Sequence, residues 1–341
     1  MPQKKYTIKD VAKMAGVSKG TVDRVLHKRG KVSEKAQKKV EAILKEIDFH
    51  PNPVARNLKS NKTYHIAVLL PSEKIDPFWI PAHKGISMVK KEFRGFGLTI
   101  STYTYTDSSS FQACGKAVMD NPPDAIFMAP LFNKIALELI CHCENQHILV
   151  GLFNNYLTTE ENTLFVGQNL AQSGRVAGNL VDITLNTPVN LGVVHFNREP
   201  HMSVKETGLK TYLEEKGITT DITSIDIDTY DNPNYTTEID NFVTSSNWDV
   251  IFVTNSKTYL MAESKKRLQK DFLLVGYDLL EKNIAFLKTG VIDFLIHQKP
   301  ERQVVLGLNH LAEHLLFKKE LPSKVLLPID IISAENYRYH V

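Results

Sequence analysis

The residue spacings that would carry catalysis are missing from this chain. No G-x-x-x-x-G-K-[ST] phosphate loop and no H-E-x-x-H helix occurs. The 12 histidines are scattered without a spacing that suggests a triad. Gly167 and Gly174 stand too far apart for a dinucleotide loop. Cys141-His142-Cys143 gathers two thiols and an imidazole, yet a tetrahedral zinc site needs four ligands and no second pair lies at suitable spacing. The reading is therefore no catalytic residue, no metal and no cofactor. What the first 60 residues do offer is charge: 15 Lys and Arg against 6 Asp and Glu, net +9. The other 281 residues carry 26 against 32, net −6. A basic head on an acidic body is the electrostatic footprint of a nucleic-acid module joined to something else.

The elements that position this charge are legible between Thr7 and Leu26. Thr7 followed by Asp10 is a capping box that opens a short helix burying Val11, Ala12 and Ala15. Gly16 permits a tight turn, and Ser18 caps a second helix with Val22, Val25 and Leu26 on one face. Two short helices around a Gly-containing turn make a helix-turn-helix. A third helix over Ser33 to Ile47 closes the small core with Ala36, Val40, Ile43, Leu44 and Ile47. Asn52-Pro53 then opens about two turns of possible helix, to Lys59. Isolated helices shorter than about 12 residues are marginal in water, so this one is expected to form only when something packs on it.

DVAKMAGVSKGTVDRVL, followed by VSEKAQKKVEAILKEIDFHPNPVARNL, resembles the DNA-binding head of the lactose-repressor (LacI/GalR) family of bacterial transcription regulators. The resemblance implies that the second helix lies in the major groove. Lys19, Gly20 and Arg24 then fall at base-reading positions, and Thr7, Ser18 and Thr21 beside the DNA. Arg suits guanine because its planar fork donates to O6 and N7 together. Gly20 brings no side chain, and Asp23 stands where the family usually has Ser. The resemblance also makes residues 52 to 59 a hinge helix, with Asn52, Arg56 and Leu58 on DNA and Leu58 the wedge that opens a minor-groove step.

From His65 short apolar runs alternate with amphipathic helices. Strands are expected at Ile66 to Pro71, Leu98 to Tyr105, Ala125 to Pro130, Ile148 to Phe153, Leu191 to Phe196, Val250 to Asn255 and Phe272 to Asp278. Helices are expected at Pro81 to Phe96, Asn133 to Glu144, Ser203 to Lys216 and Glu301 to Phe317. Such alternation means parallel sheets covered by helices. The ~275 residues beyond the head exceed the roughly 100–200 of one domain, so two α/β lobes are expected. In order, these signals are similar to sugar-binding proteins of the ribose type, the periplasmic-binding-protein-like body that the lactose-repressor family carries. That similarity implies a head at 1–60 and an effector-binding, dimerising body at 64–341. Lobe one would comprise about 64–168 and 299–326, and lobe two about 169–298 and 327–341.

A sugar site needs aromatic faces for the ring's C–H faces and planar polar groups for its hydroxyls. Phe78 and Trp79 can supply the first. Asp76, Lys205, Asn255, Asp278 and Gln298, most of them at strand ends where α/β crevices form, can supply the second. Where ribose-type proteins offer Asp-Arg after the fourth strand this chain has Phe153-Asn154, which makes Asn154 the eighth expected effector contact, and Lys205 stands where Arg is usual. Lys lacks the bidentate fork of Arg, which argues against a standard pentose. The expectation is an all-α helix-turn-helix head on a two-lobed α/β body: a homodimeric, cytoplasmic, effector-controlled regulator, in sense a repressor, binding a near-palindromic double-stranded operator and no membrane. The competing expectation is a stand-alone small-molecule binding protein with an incidental basic head. No apolar leader segment and no run of 18 or more apolar residues is visible.

Overall fold

The computed structural model describes residues 6–26, 29–47, 49, 62–157, 163–185 and 189–341. The chain divides into two compact units, residues 1–62 and 63–341. In the first unit α1 (Ile8–Ala15) is opened by the Thr7–Asp10 capping box and closed by Gly16 in the left-handed conformation, φ 63°. There a glycine spares the cost that a Cβ would impose. The turn leads to α2 (Lys19–Leu26), and Ser33 caps α3 (Glu34–Glu46). Val11, Ala12, Ala15, Val22 and Val40 make the core of this unit, against which Val25, Leu26, Ile43, Leu44 and Ile47 pack. The expected hinge segment, with Asn52, Arg56 and Leu58, lies outside the described residues.

The second unit holds two six-stranded sheets. The first contains β1 (Tyr64–Pro71), β2 (Leu98–Tyr105), β3 (Ala125–Met128), β4 (Leu149–Phe153), β5 (Thr163–Gly167) and β11 (Lys324–Leu326), in the order β11-β5-β4-β3-β1-β2. All its pairings are parallel. The second contains β6 (Val189–Phe196), β7 (Thr220–Ile227), β8 (Val250–Val253), β9 (Leu273–Tyr277), β10 (Phe294–His297) and β12 (Asp330–Ile332), in the order β12-β10-β9-β8-β6-β7. Here only β12 runs antiparallel, against β10. In lobe one α4 (Ile80–Glu92) and α12 (Pro300–Phe317) cover one face, and α5 (Ser108–Met119) and α6 (Asn133–Asn145) cover the other. In lobe two the helices are α7 (Leu170–Thr184), α8 (Pro200–Glu215), α9 (Tyr235–Thr244), α10 (Thr258–Arg267) and α11 (Glu281–Lys288).

Strands β1, β3 and β8 are buried along almost their whole length because helices cover both faces, which is why they read as unbroken apolar runs. Edge strand β7 was not expected from the sequence: TDITSIDI alternates and is half exposed. In lobe two, α7 and α8 pack backbone to backbone. A Cβ on Gly174 would meet the Lys205 carbonyl, and one on Gly208 the Ala171 carbonyl.

The chain passes between lobes three times, from β5 to α7, from β10 to α12 and from β11 to β12. Gln168, 3% exposed, ties the three crossings together: its Nε2 donates to the carbonyls of His297 at 3.0 Å and Pro328 at 2.8 Å. Lys299 adds an ion pair with Asp330 at 2.6 Å, joining the second crossing to the third.

Candidate functional site

The body's candidate site is built from the ends of its strands. Asp76 follows β1 and caps the short helical turn Pro77–Trp79, its Oδ1 accepting from Phe78 N at 2.8 Å. Its Oδ2 accepts from Ser256 Oγ, 3.0 Å away in lobe two, so the lobes touch here. Burial raises the Asp76 pKa against the opposing pull of the Phe78 amide and Lys257. Phe78 and Trp79 are buried and meet edge to face at 4.8 Å, with Trp79 also edge-on to Phe153 at 6.1 Å. At the ends of β4 and β9, Asn154 (φ 67°) and Asp278 (φ 64°) both adopt the left-handed region, which Asn and Asp tolerate better than other side-chain-bearing residues. That turn brings each side chain to the cleft rather than along the strand.

Asp278 is locked in place. Gln298 donates to it twice, from N at 2.9 Å and from Nε2 at 2.6 Å. The Gln298 oxygen accepts from Lys205 Nζ at 3.3 Å, and the same ammonium donates to the Thr254 carbonyl at 3.0 Å and lies 3.7 Å from the centre of the Tyr277 ring. Lys205 is fully buried, and burial lowers its pKa to about 8 although Asp278 and Glu199 oppose the fall. Asn255 uses its amide on the backbone, donating to Phe196 O and accepting from Lys257 N.

Seven of the eight expected effector residues, namely Asp76, Phe78, Trp79, Asn154, Asn255, Asp278 and Gln298, line one cavity of about 40 Å³. The eighth, Lys205, stands behind its wall and reaches it through Gln298. The sequence reading missed Glu199, His201, Met202 and Ser256, which line the same cavity. For the first three the signal was the polar run Arg198-Glu199-Pro200-His201 shortly after a buried strand. His201 Nδ1 is 3.1 Å from Glu199 Oε2, near enough for attraction but outside hydrogen-bond geometry. A space of about 40 Å³ takes a few waters and no sugar ring, so a saccharide enters only if the lobes part.

In the head, Lys19, Gly20 and Arg24 are exposed on α2, with Gly20 and Arg24 on the side away from Val22, which is fully buried. Ser18 Oγ accepts from Thr21 N at 3.1 Å and Thr7 caps α1, so those side chains shape the turn. The letters Gly16-Val17-Ser18-Lys19-Gly20 fit the G-x-S-x-G spelling of a hydrolase elbow, which the sequence reading had counted as absent. That elbow needs a preceding strand, and here a helix precedes it while Ser18 is spent on capping.

Residues 66–319 match the profile of the periplasmic binding protein domain, and residues 7–52 that of bacterial regulatory proteins of the lacI family. The chain belongs to the periplasmic-binding-protein domain family and bears a lacI-family head. Among relatives of this lacI-headed chain, the HTH-type transcriptional regulator MalR of Streptococcus pneumoniae is 42% identical over 90 residues, 25% of this chain and 27% of its own. The ribose operon repressor of Escherichia coli is 40% identical over 94 residues, 28% of each chain. The matched region thus spans about a quarter of the length of these curated relatives. A solved structure from Bacteroides fragilis, described as a LacI transcriptional regulator, is 26% identical with a TM-score of 0.75, covering 82% of this chain and 99% of that one. An ABC transporter solute binding protein from Bacillus halodurans with bound myo-inositol has 16% identity and a TM-score of 0.72, over 82% and 98% of the two chains, and shares the fold.

Proposed function

We propose that this protein is a transcription regulator, in sense a repressor, whose affinity for double-stranded DNA is set by a neutral sugar or related polyol bound between the lobes of its body. The observation that carries the reading is the joining of a lacI-family head, with Lys19 and Arg24 exposed on α2, to a binding-protein body in which seven expected ligand residues converge on one cavity. The names of its relatives, regulators of the MalR, ribose-repressor and PurR kinds, support the same reading. Its chemistry is binding, not catalysis. Among the described residues no three His, Cys, Asp or Glu side chains are grouped to hold a metal, and no helix is long and apolar enough to cross a membrane.

The mechanism follows from the cleft. Ligand parts and then re-clasps the lobes about the tied crossings, and the energy that transmits this to the head is the ligand's different affinity for the two arrangements. Two chains present two heads, so the operator is near-palindromic and the working form is a homodimer held through the body. The test is selection of duplexes from a random pool, then anisotropy titration at several salt concentrations. A selected duplex should bind far more tightly than a random one, and Arg24→Ala should remove about 1–3 kcal/mol from the selected duplex alone. Equal binding of all duplexes would sink the regulator reading and leave a stand-alone binding protein.

A further inference from the structure

Beside the inner cavity lies a second, larger one of about 380 Å³, which falls in the range of ligand pockets. It opens between the β5–β11 edge of lobe one and the first turns of α7 and α8 in lobe two, and His201 lines both cavities, so the two adjoin at its ring. We infer that this annex is a second saccharide subsite, and that the effector is a neutral disaccharide with one ring in the inner cavity and the other in the annex. This rests on the sugar-regulator reading above.

The two cavities carry the same pair of features. The inner one has the Phe78–Trp79 aromatic pair and the Asn154 side chain, 6% exposed, whose Oδ1 has no hydrogen-bond partner. The annex has Tyr156, half exposed and edge-on to Phe165 at 5.2 Å, and Gln168, 3% exposed, whose Oε1 has no partner. The orientation of the Gln168 amide is fixed, because its nitrogen already serves two carbonyls. Each subsite therefore offers an aromatic surface for C–H groups and, within its wall, a buried acceptor in want of a donor, which a sugar hydroxyl supplies when the parting of the lobes uncovers it.

The competing ligand is a sugar phosphate, since Lys324 and the N-termini of α7 and α8 open on the annex. Two observations count against it. The buried group lacking a partner there is an acceptor, which a phosphate repels, and the residue at the α8 N-cap position is Glu199, whose negative charge opposes a second anion there although its side chain makes no capping hydrogen bond.

The experiment is isothermal titration calorimetry of the full chain with maltose, cellobiose, lactose, sucrose and trehalose, with their component monosaccharides, and with glucose 6-phosphate. One disaccharide should bind at least tenfold more tightly than either of its component rings. Tyr156→Ala, and Val204→Trp, which fills the annex from its exposed wall, should each erase that advantage and leave monosaccharide affinity within twofold. Asp278→Asn should weaken both. The subsite is overturned if mono- and disaccharide bind alike in wild type, if both annex variants keep the advantage, or if glucose 6-phosphate binds best. If no sugar binds, or if Asp278→Asn changes nothing, the sugar reading falls and takes this inference with it. Circular dichroism and melting curves of each variant identify loss through misfolding, and the two annex variants act by opposite changes of volume, so a shared outcome reports the subsite.

Discussion

The two lobes share a fold and differ in what they bury. In lobe one the sheet is packed with apolar side chains such as Phe127, Phe153 and Leu311, and its buried polar groups are the amides Asn154, Asn155, Gln168 and Gln303, all at or near the cleft or the crossings. In lobe two, buried ionisable groups run through the interior: His195, Lys205, Glu206, Lys257, Lys265 and Asp278. The groups there are chained. His195 Nε2 meets Glu206 Oε2 at 2.8 Å, and Glu206 Oε1 accepts from Lys210 at 2.7 Å and from Ser224. Lobe one thus presents shape and lobe two presents charge. The buried charge of lobe two ties the stability of its interior to pH, while in lobe one the packing of the apolar core carries no such dependence and titration is left to groups such as Asp76 at the cleft.

The largest effect expected lies in lobe one. Phe127 is fully buried, stacks on Phe153 at 4.8 Å and packs against Gly151 and Gly307. Phe127→Ala should cost about 3–5 kcal/mol, by the same amount at every pH from 5 to 9. Chemical denaturation across that range would break the contrast if the loss varied with pH.

Next comes Lys205. Its folded pKa of about 8 lies below its ordinary value of 10.5, so between those values the unfolded chain holds more protons and stability rises with pH. The group's penalty is complete below pH 8 and is relieved toward 10.5, roughly 3 kcal/mol in all by the conversion per pKa unit. Lys205→Met should abolish that rise. The wild-type-minus-variant difference in unfolding free energy from pH 7 to 10 is the readout, and a flat difference would remove Lys205 from the account. Measuring the difference also cancels the opposing contribution of tyrosines such as Tyr230, raised by burial to about 12.

The smallest effect is at Lys210, half exposed at the end of the Glu206 chain. Burial raises the Glu206 pKa, but hydrogen bonds from Lys210, Ser224 and His195 outweigh it and bring it to about 2. Its contribution is present above the usual value of 4.5 and is lost as pH falls toward 2. Lys210→Ala should cost about 0.5–1 kcal/mol near neutrality and move the acid limb of the stability profile to higher pH. An acid limb that stayed put would assign the depressed pKa to Ser224 and His195 alone.

What the sequence revealed divides along the same line. Strands such as β1 and β8 were legible because burial on both faces demands unbroken apolar runs, and strand-end logic then found Asp76, Asn255, Asp278 and Gln298. Strand β7 was not, because an edge strand with Asp221 and Asp226 in it carries no such demand. Lys205 was read as a ligand contact from the resemblance, at a position where Arg is usual, and nothing in its neighbourhood tells that Thr254 and Gln298, 49 and 93 residues away, would enclose it. Gln168 escaped notice for the same reason: its partners are 129 and 160 residues distant in the chain.

That glutamine sets the kinematics of the whole body. Three separate crossings could in principle flex independently, allowing the lobes to slide, twist and bend. Pinning all three at one amide, with the Lys299–Asp330 pair alongside, should favour rotation about that point over sliding and twisting, as three knuckles on one pin leave a door its swing. A molecule with one favoured coordinate has one signal to send: the ligand sets the angle, and everything attached to the lobes reads the same number.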